Sequence, residues 1–134
     1  MVKHYCILVW RTTVRKEMRT NKKGIEIVKH FEGFRSRPYR CSAGIPTIGY
    51  GACYYSDGTR VTMGDRQVSK DQAEELLVYG LRTAEKAVAR LVGVPLTVNA
   101  FSSLSSFVFN VGSSRFRSST LRQRLNRKNY AQAA

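Results

Sequence analysis

Three groups able to do hydrolytic chemistry stand within one short stretch, EGFRSRPYRCSAGIPTIGYG, which runs from Glu32 to Gly51. Glu32 lies between Phe31 and Phe34; Cys41 follows after eight intervening residues and Thr47 after five more. A glutamate packed among aromatics keeps its proton nearer to neutral pH than an exposed one, which is what a general acid requires. The usual partner of such an acid in glycoside hydrolysis is a second carboxylate, and none occurs before Asp57. A thiol and a hydroxyl are available instead. A thiol of pKa near ~8.5 is mostly neutral at pH 7 unless its surroundings lower that value. Arg37 and Arg40 are the sequence neighbours able to do so. The residues alone leave three readings of Cys41 open: a partly ionised base or nucleophile, a hydrogen-bonding holder of water, or an inert buried thiol.

These groups need elements to hold them. Asn21 caps a helix in which Ile25, Val28 and then Phe31 or Glu32 recur at helical spacing, and Gly33 ends it. Glu32 therefore falls at a helix C-terminus, where the macrodipole disfavours an anion and pushes the carboxyl group upward. From there to about Val61, Pro38, Pro46 and glycines 44, 49, 51 and 58 alternate with Tyr39, Tyr50, Tyr54 and Tyr55, the composition of a small sheet with tight turns. Strand cores are expected at residues 39–40, 47–50 and 59–61, with a hairpin signal at Ser56-Asp57-Gly58. Gly49 and Gly51 let backbone approach closely to a ligand or to a neighbouring strand.

Ser69 and Gln72 form a capping box that opens a long helix with the apolar face Ala73, Leu76, Leu77, Leu81, Ala84, Val88 and Leu91, stopped by Gly93 and Pro95. A second helix over residues 98–111 is apolar enough, Phe107 included, to be buried on most sides. After Gly112 a third, capped by Ser118 or Ser119, runs through Leu121 and Leu125 towards Ala134. A helix, a small sheet and then helices make an α+β fold with segregated elements.

With 134 residues and 43% hydrophobic content, the chain can bury one core without staples. Its net charge of +14 is uneven: residues 1–23 hold seven Lys/Arg against Glu17 alone, and Arg115 to Lys128 hold six against no acid. That balance favours polyanionic partners: a wall polymer bearing carboxylates and phosphates, an anionic membrane or outer-leaflet surface, or nucleic acid. No nucleic-acid-binding motif accompanies the charge, and the aromatics follow the core pattern, so specific nucleic-acid recognition is not expected. The longest early apolar run, Tyr5 to Trp10, is too short even for a secretory signal, and neither a signal peptide nor an anchor is visible. Cys6, Cys41 and Cys53 contain no CxxC, and His4 and His30 lie far apart, so neither a metal nor a cofactor is expected. Residues 1–20 read as a flexible basic arm and 21–134 as the folded domain.

The E-x8-C-x5-T spacing resembles that of the phage-type lysozymes, the endolysins of glycoside hydrolase family 24, whose pattern is Glu, then Asp or Cys, then Thr at those intervals. Thr47-Ile48-Gly49-Tyr50-Gly51 is similar to the family's strand after the catalytic position. Phe109-Asn110-Val111-Gly112, Ser119-Thr120-Leu121 and Leu125-Asn126 resemble its buried-helix and following-helix signatures. The resemblance covers about Met18 to Ala134, and the combination is specific where each part alone is weak.

The resemblance implies a lysozyme-like α+β fold and a monomeric muramidase. Such an enzyme cleaves the β-1,4 bond between N-acetylmuramic acid and N-acetylglucosamine in peptidoglycan. It lyses the host at the end of phage infection, held in the host cytoplasm until its release to the wall. Carried onto this chain, Glu32 is the general acid at the leaving oxygen, and Cys41 and Thr47 hold the water that attacks the opposite face of the sugar, giving inversion. Tyr50, Gly112 and Thr120 are the implied substrate contacts.

Some family members with Cys at this position are exported on a releasable N-terminal anchor and kept inactive by a disulfide on that Cys. Met18-Arg19-Thr20-Asn21 is similar to the joint that follows such anchors, although the apolar anchor itself is missing. The corresponding expectation is a Cys6–Cys41 or Cys41–Cys53 disulfide. Members also continue with a Trp-bearing helix and an Arg-rich closing helix; this chain reaches Ala134 with Trp10 its only tryptophan, so the domain is expected to be C-terminally shortened. The competing reading is a truncated, catalytically silent basic prophage protein that binds wall or membrane by charge.

Overall fold

The computed structural model describes residues 17–133. In chain order these form α1 (Lys22–Glu32), β1 (Arg35–Arg40), β2 (Pro46–Gly49), α2 (Lys70–Leu91), α3 (Val98–Val111), α4 (Ser113–Arg117), α5 (Thr120–Asn126) and α6 (Tyr130–Ala133), the expected α+β order. The Asn21 side chain accepts the Gly24 N–H at 2.9 Å. At the other end Gly33, with φ 70°, returns its N–H to the Lys29 carbonyl, which fixes Glu32 as the last residue of α1. Both bonds of the capping box open α2: Gln72 N–H to Ser69 Oγ, and Ser69 N–H to Gln72 Oε1.

Two buried clusters share α2. Ala73, Leu77 and Leu81 in its first half pack with Val28 and Tyr50. Ala84, Ala87 and Val88 in its second half pack with Val92, Phe101, Leu104, Val108, Phe116 and Leu125. On the way into α1, Glu85, buried in α2, accepts the Thr20 N–H at 2.8 Å and an Arg19 guanidinium N–H at 3.1 Å, so the chain is tied to α2 before α1 begins.

β1 and β2 pair antiparallel, with Tyr39 opposite Thr47, Arg40 opposite Pro46, and an irregularity between Arg35 and Tyr39. The third expected strand does not form. Residues 59–61 give only the single bridge Arg60–Tyr54, because Asp57 takes the N–H and hydroxyl of Thr59 into the turn. The helix at 98–111 is buried along one face rather than on most sides. Phe101, Leu104, Ser105 and Val108 lie inward at the i, i+3, i+4, i+7 spacing, whereas Phe107 is 40% exposed. The expected third helix is broken: α4 starts directly after Gly112, and Lys128, at φ 57°, separates α5 from α6.

Candidate active site

Two tight hairpins sit back to back on β2 and place the candidate residues. The first has the three-residue loop 42–44, closed by Cys41 N–H to the Ile45 carbonyl at 3.0 Å and Gly44 N–H to the Cys41 carbonyl at 2.8 Å. The second has the loop 49–51, closed by reciprocal 2.9 Å bonds between Ile48 and Ala52. Cys41 stands at the mouth of the first. Counting outward from the Ile48–Ala52 pair, Thr47 and Cys53 face each other at the next position of the second. Thr47 therefore lies between Tyr39 on one side and Cys53 on the other.

Glu32 projects from the end of α1 onto the second loop. A Cβ placed on Gly51 would lie 2.9 Å from its Oε2, so only glycine, here at φ 88°, admits the carboxylate so closely. Burial raises the Glu32 pKa above its ordinary value, and among the described residues no ion pair or hydrogen bond offsets that loss of water. The desolvation does not come from Phe31, which is 80% exposed, and Phe34 is engaged with Tyr50, ring centroids 5.5 Å apart. Glu32 lines a cleft of about 570 Å³ whose other walls include Gly51, Cys53, Tyr54, Tyr79 and Asn110. That volume falls in the usual range for ligand clefts.

Thr47 is 2% exposed, and its hydroxyl donates to the Ile45 carbonyl at 2.9 Å. Its Oγ1 lies 3.7 Å from Cys53 Sγ. The Cys41 thiol is lowered below its ordinary pKa by hydrogen bonding to the backbone of Ile45, then of Ala43, and less strongly to the Thr47 hydroxyl. Arg37 and Arg40, expected from proximity in sequence to supply that effect, do not; Arg40 donates instead to the Gly44 carbonyl at 2.8 Å. Cys41 and Cys53 are both free thiols, and Cys6 lies outside the described residues.

The candidate substrate contacts are spread out. Tyr50 borders the cleft but is 7% exposed, its ring held between Phe34 and the Lys29 ammonium. Gly112, at the joint of α3 and α4, and Thr120, at the start of α5, are exposed and do not border the Glu32 cleft. Two site neighbours were not read as such from the sequence. Cys53 becomes one only when 48–52 is read as a tight hairpin, which sets it opposite Thr47. Tyr39, whose phenol is raised by burial, carries the Arg35 guanidinium 4.4 Å from its ring centroid.

Residues 29–134 match the family described as Phage lysozyme. The chain is 41% identical over 117 residues to the endolysin of Salmonella phage P22, a match spanning 87% of this chain and 80% of that protein. Its fold superposes on the endolysin from Escherichia coli O157:H7 phage FAHEc1 with a TM-score of 0.81 at 37% identity, covering 87% of this chain and 72% of the other. The muramidase domain of SpmX from Asticaccaulis excentricus gives a TM-score of 0.75 at 32% identity, with 87% of this chain and 75% of the other covered.

Proposed function

The chain belongs to the phage lysozyme family and is a peptidoglycan hydrolase of host-cell lysis, and from that premise we propose that it is a muramidase with Glu32 as its general acid. The bond cleaved is the β-1,4 link from N-acetylmuramic acid to N-acetylglucosamine. The observation that carries the reading is the Glu32 carboxylate, half-buried against Gly51 on the wall of a cleft wide enough for sugars. A carboxylic acid in that setting keeps its proton above the ordinary carboxylate range and delivers it to the leaving glycosidic oxygen as an oxocarbenium-like centre develops. Activity then falls as pH rises through the raised Glu32 pKa.

On the far side of the sugar, Thr47 and Cys41 hold the attacking water, and the lowered thiol pKa gives Cys41 more thiolate than an ordinary cysteine has at the same pH. The exposed Arg115, Arg117, Arg127 and Lys128 around α4 and α5 add long-range attraction to a polyanionic wall.

Clearing of purified bacterial walls tests the assignment. Glu32→Gln is expected to slow clearing by about 10²–10⁴-fold, the usual contribution of a general acid. Equal clearing by both proteins would remove Glu32 from that role. In the same assay Cys41→Ser against Cys41→Asp tests the thiol's ionisation: full activity in the Ser variant eliminates the ionised thiol.

A further inference from the structure

The proposed water site has one thiol in the family pattern and a second beside it that the pattern does not include. Cys53 Sγ is 3.7 Å from Thr47 Oγ1 and 3.9 Å from the Gly51 carbonyl oxygen, and Cys53, unlike Cys41, borders the cleft that holds Glu32. The contact is built into the backbone. Reciprocal bonds between Ile48 and Ala52 set Thr47 and Cys53 opposite each other, and the Val61 N–H to the Cys53 carbonyl, at 3.0 Å, fixes the outer side of Cys53.

The hydrogen-bonding capacity of Thr47 gives this contact a direction. A hydroxyl has one proton and two acceptor positions. The proton goes to the Ile45 carbonyl at 2.9 Å, so towards Cys53 the oxygen accepts and the S–H donates, Thr47 Oγ1 being the nearer of that S–H's two acceptors at 3.7 Å against 3.9 Å for the Gly51 carbonyl. One acceptor position remains. That position is the one left for the Cys41 thiol or for a water held between Cys41 and Thr47, and its direction is set because the other two sites on the oxygen are occupied.

We propose that Cys53 is a positioning residue of the water site: its S–H, donated to Thr47 Oγ1, leaves that hydroxyl a single orientation in which to hold the attacking water. The proposal rests on the reading of Glu32, Cys41 and Thr47 given above. Cys53 touches neither sugar nor water in this role and acts through Thr47.

The test is steady-state hydrolysis of soluble glycan strands, with reductant present throughout, by the wild type and by Cys53→Val, Cys53→Ala and Cys53→Ser. Val and Ala remove the donor; Ser keeps it. The expected result is a kcat about tenfold lower in Val and Ala with KM unchanged, and a Ser variant within about twofold of the wild type. Thermal melting of each variant identifies any loss caused by unfolding, and if Val melts low the Ala variant decides. Wild-type kcat in Val or Ala overturns the proposal, and so does a Ser variant as slow as Val. Glu32→Gln in the same assay keeps the two readings apart. Full activity there sinks the site itself, whereas a slow Glu32→Gln beside a fast Cys53→Val sinks only the role of Cys53.

Discussion

The hairpin region, residues 35–68, and the helical region from α2 onward are held by different means. The first buries few large apolar side chains, Ile48, Tyr50 and Val61, and is held by main-chain bonds across two three-residue loops and by the Asp57 and Asp65 side chains in its turns. The second packs nine buried residues into one cluster that includes the fully enclosed Phe116. The proposed water-holding residues Cys41 and Thr47 lie in the first, and the larger buried cluster lies in the second. The proposed acid, Glu32, comes from a helix end and meets the backbone of the second loop at Gly51.

Truncating the helical core should produce the largest effect and the cleanest separation. Phe116→Ala is expected to cost about 3–5 kcal/mol in urea unfolding, while the folded fraction clears walls at the wild-type rate. A slowed folded enzyme would mean that the large cluster also sets the cleft. Gly51→Ala should do the reverse. It strains a positive φ and drives a methyl group into Glu32 Oε2, so stability falls by about 1–3 kcal/mol while clearing falls by about 10²-fold. A Gly51→Ala protein of unchanged activity would show that the loop does not shape the environment of the acid.

The smallest effect concerns Glu32 itself. Its folded pKa is raised, so the stability it contributes is complete below the unfolded carboxylate pKa of about 4.3 and is lost as pH rises through the folded value. Glu32→Gln should therefore melt above the wild type at pH 7, with the advantage shrinking towards pH 4. Equal melting at both values would mean that the carboxylate is not desolvated.

Much of this was legible in the chain. Asn21, Ser69 and the glycines at 33 and 112 act through local bonds, and the helices they bound fall where capping chemistry puts them. Phe31 misled because adjacency in a helix is not proximity: one step turns the side chain about 100°, and Phe31 faces solvent while Glu32 faces the cleft. Arg37 and Arg40 misled for the same reason, since charges close in sequence point elsewhere while backbone groups surround the thiol. The Thr47–Cys53 pairing needed the register of a hairpin whose glycine-rich loop gives no hydrophobic alternation from which to read it.

Where the second hairpin meets α2, Gly49 faces Ala73, and a Cβ built on Gly49 would lie 2.8 Å from that of Ala73. Neither residue has a rotamer with which to yield. The contact behaves as a machined stop: the hairpin cannot move closer to the helix, and it can move away only if backbone shifts as a unit. Even one methyl group at residue 49 would both strain a φ of 65° and meet that stop, so the seam between hairpin and helix leaves no room for a side chain.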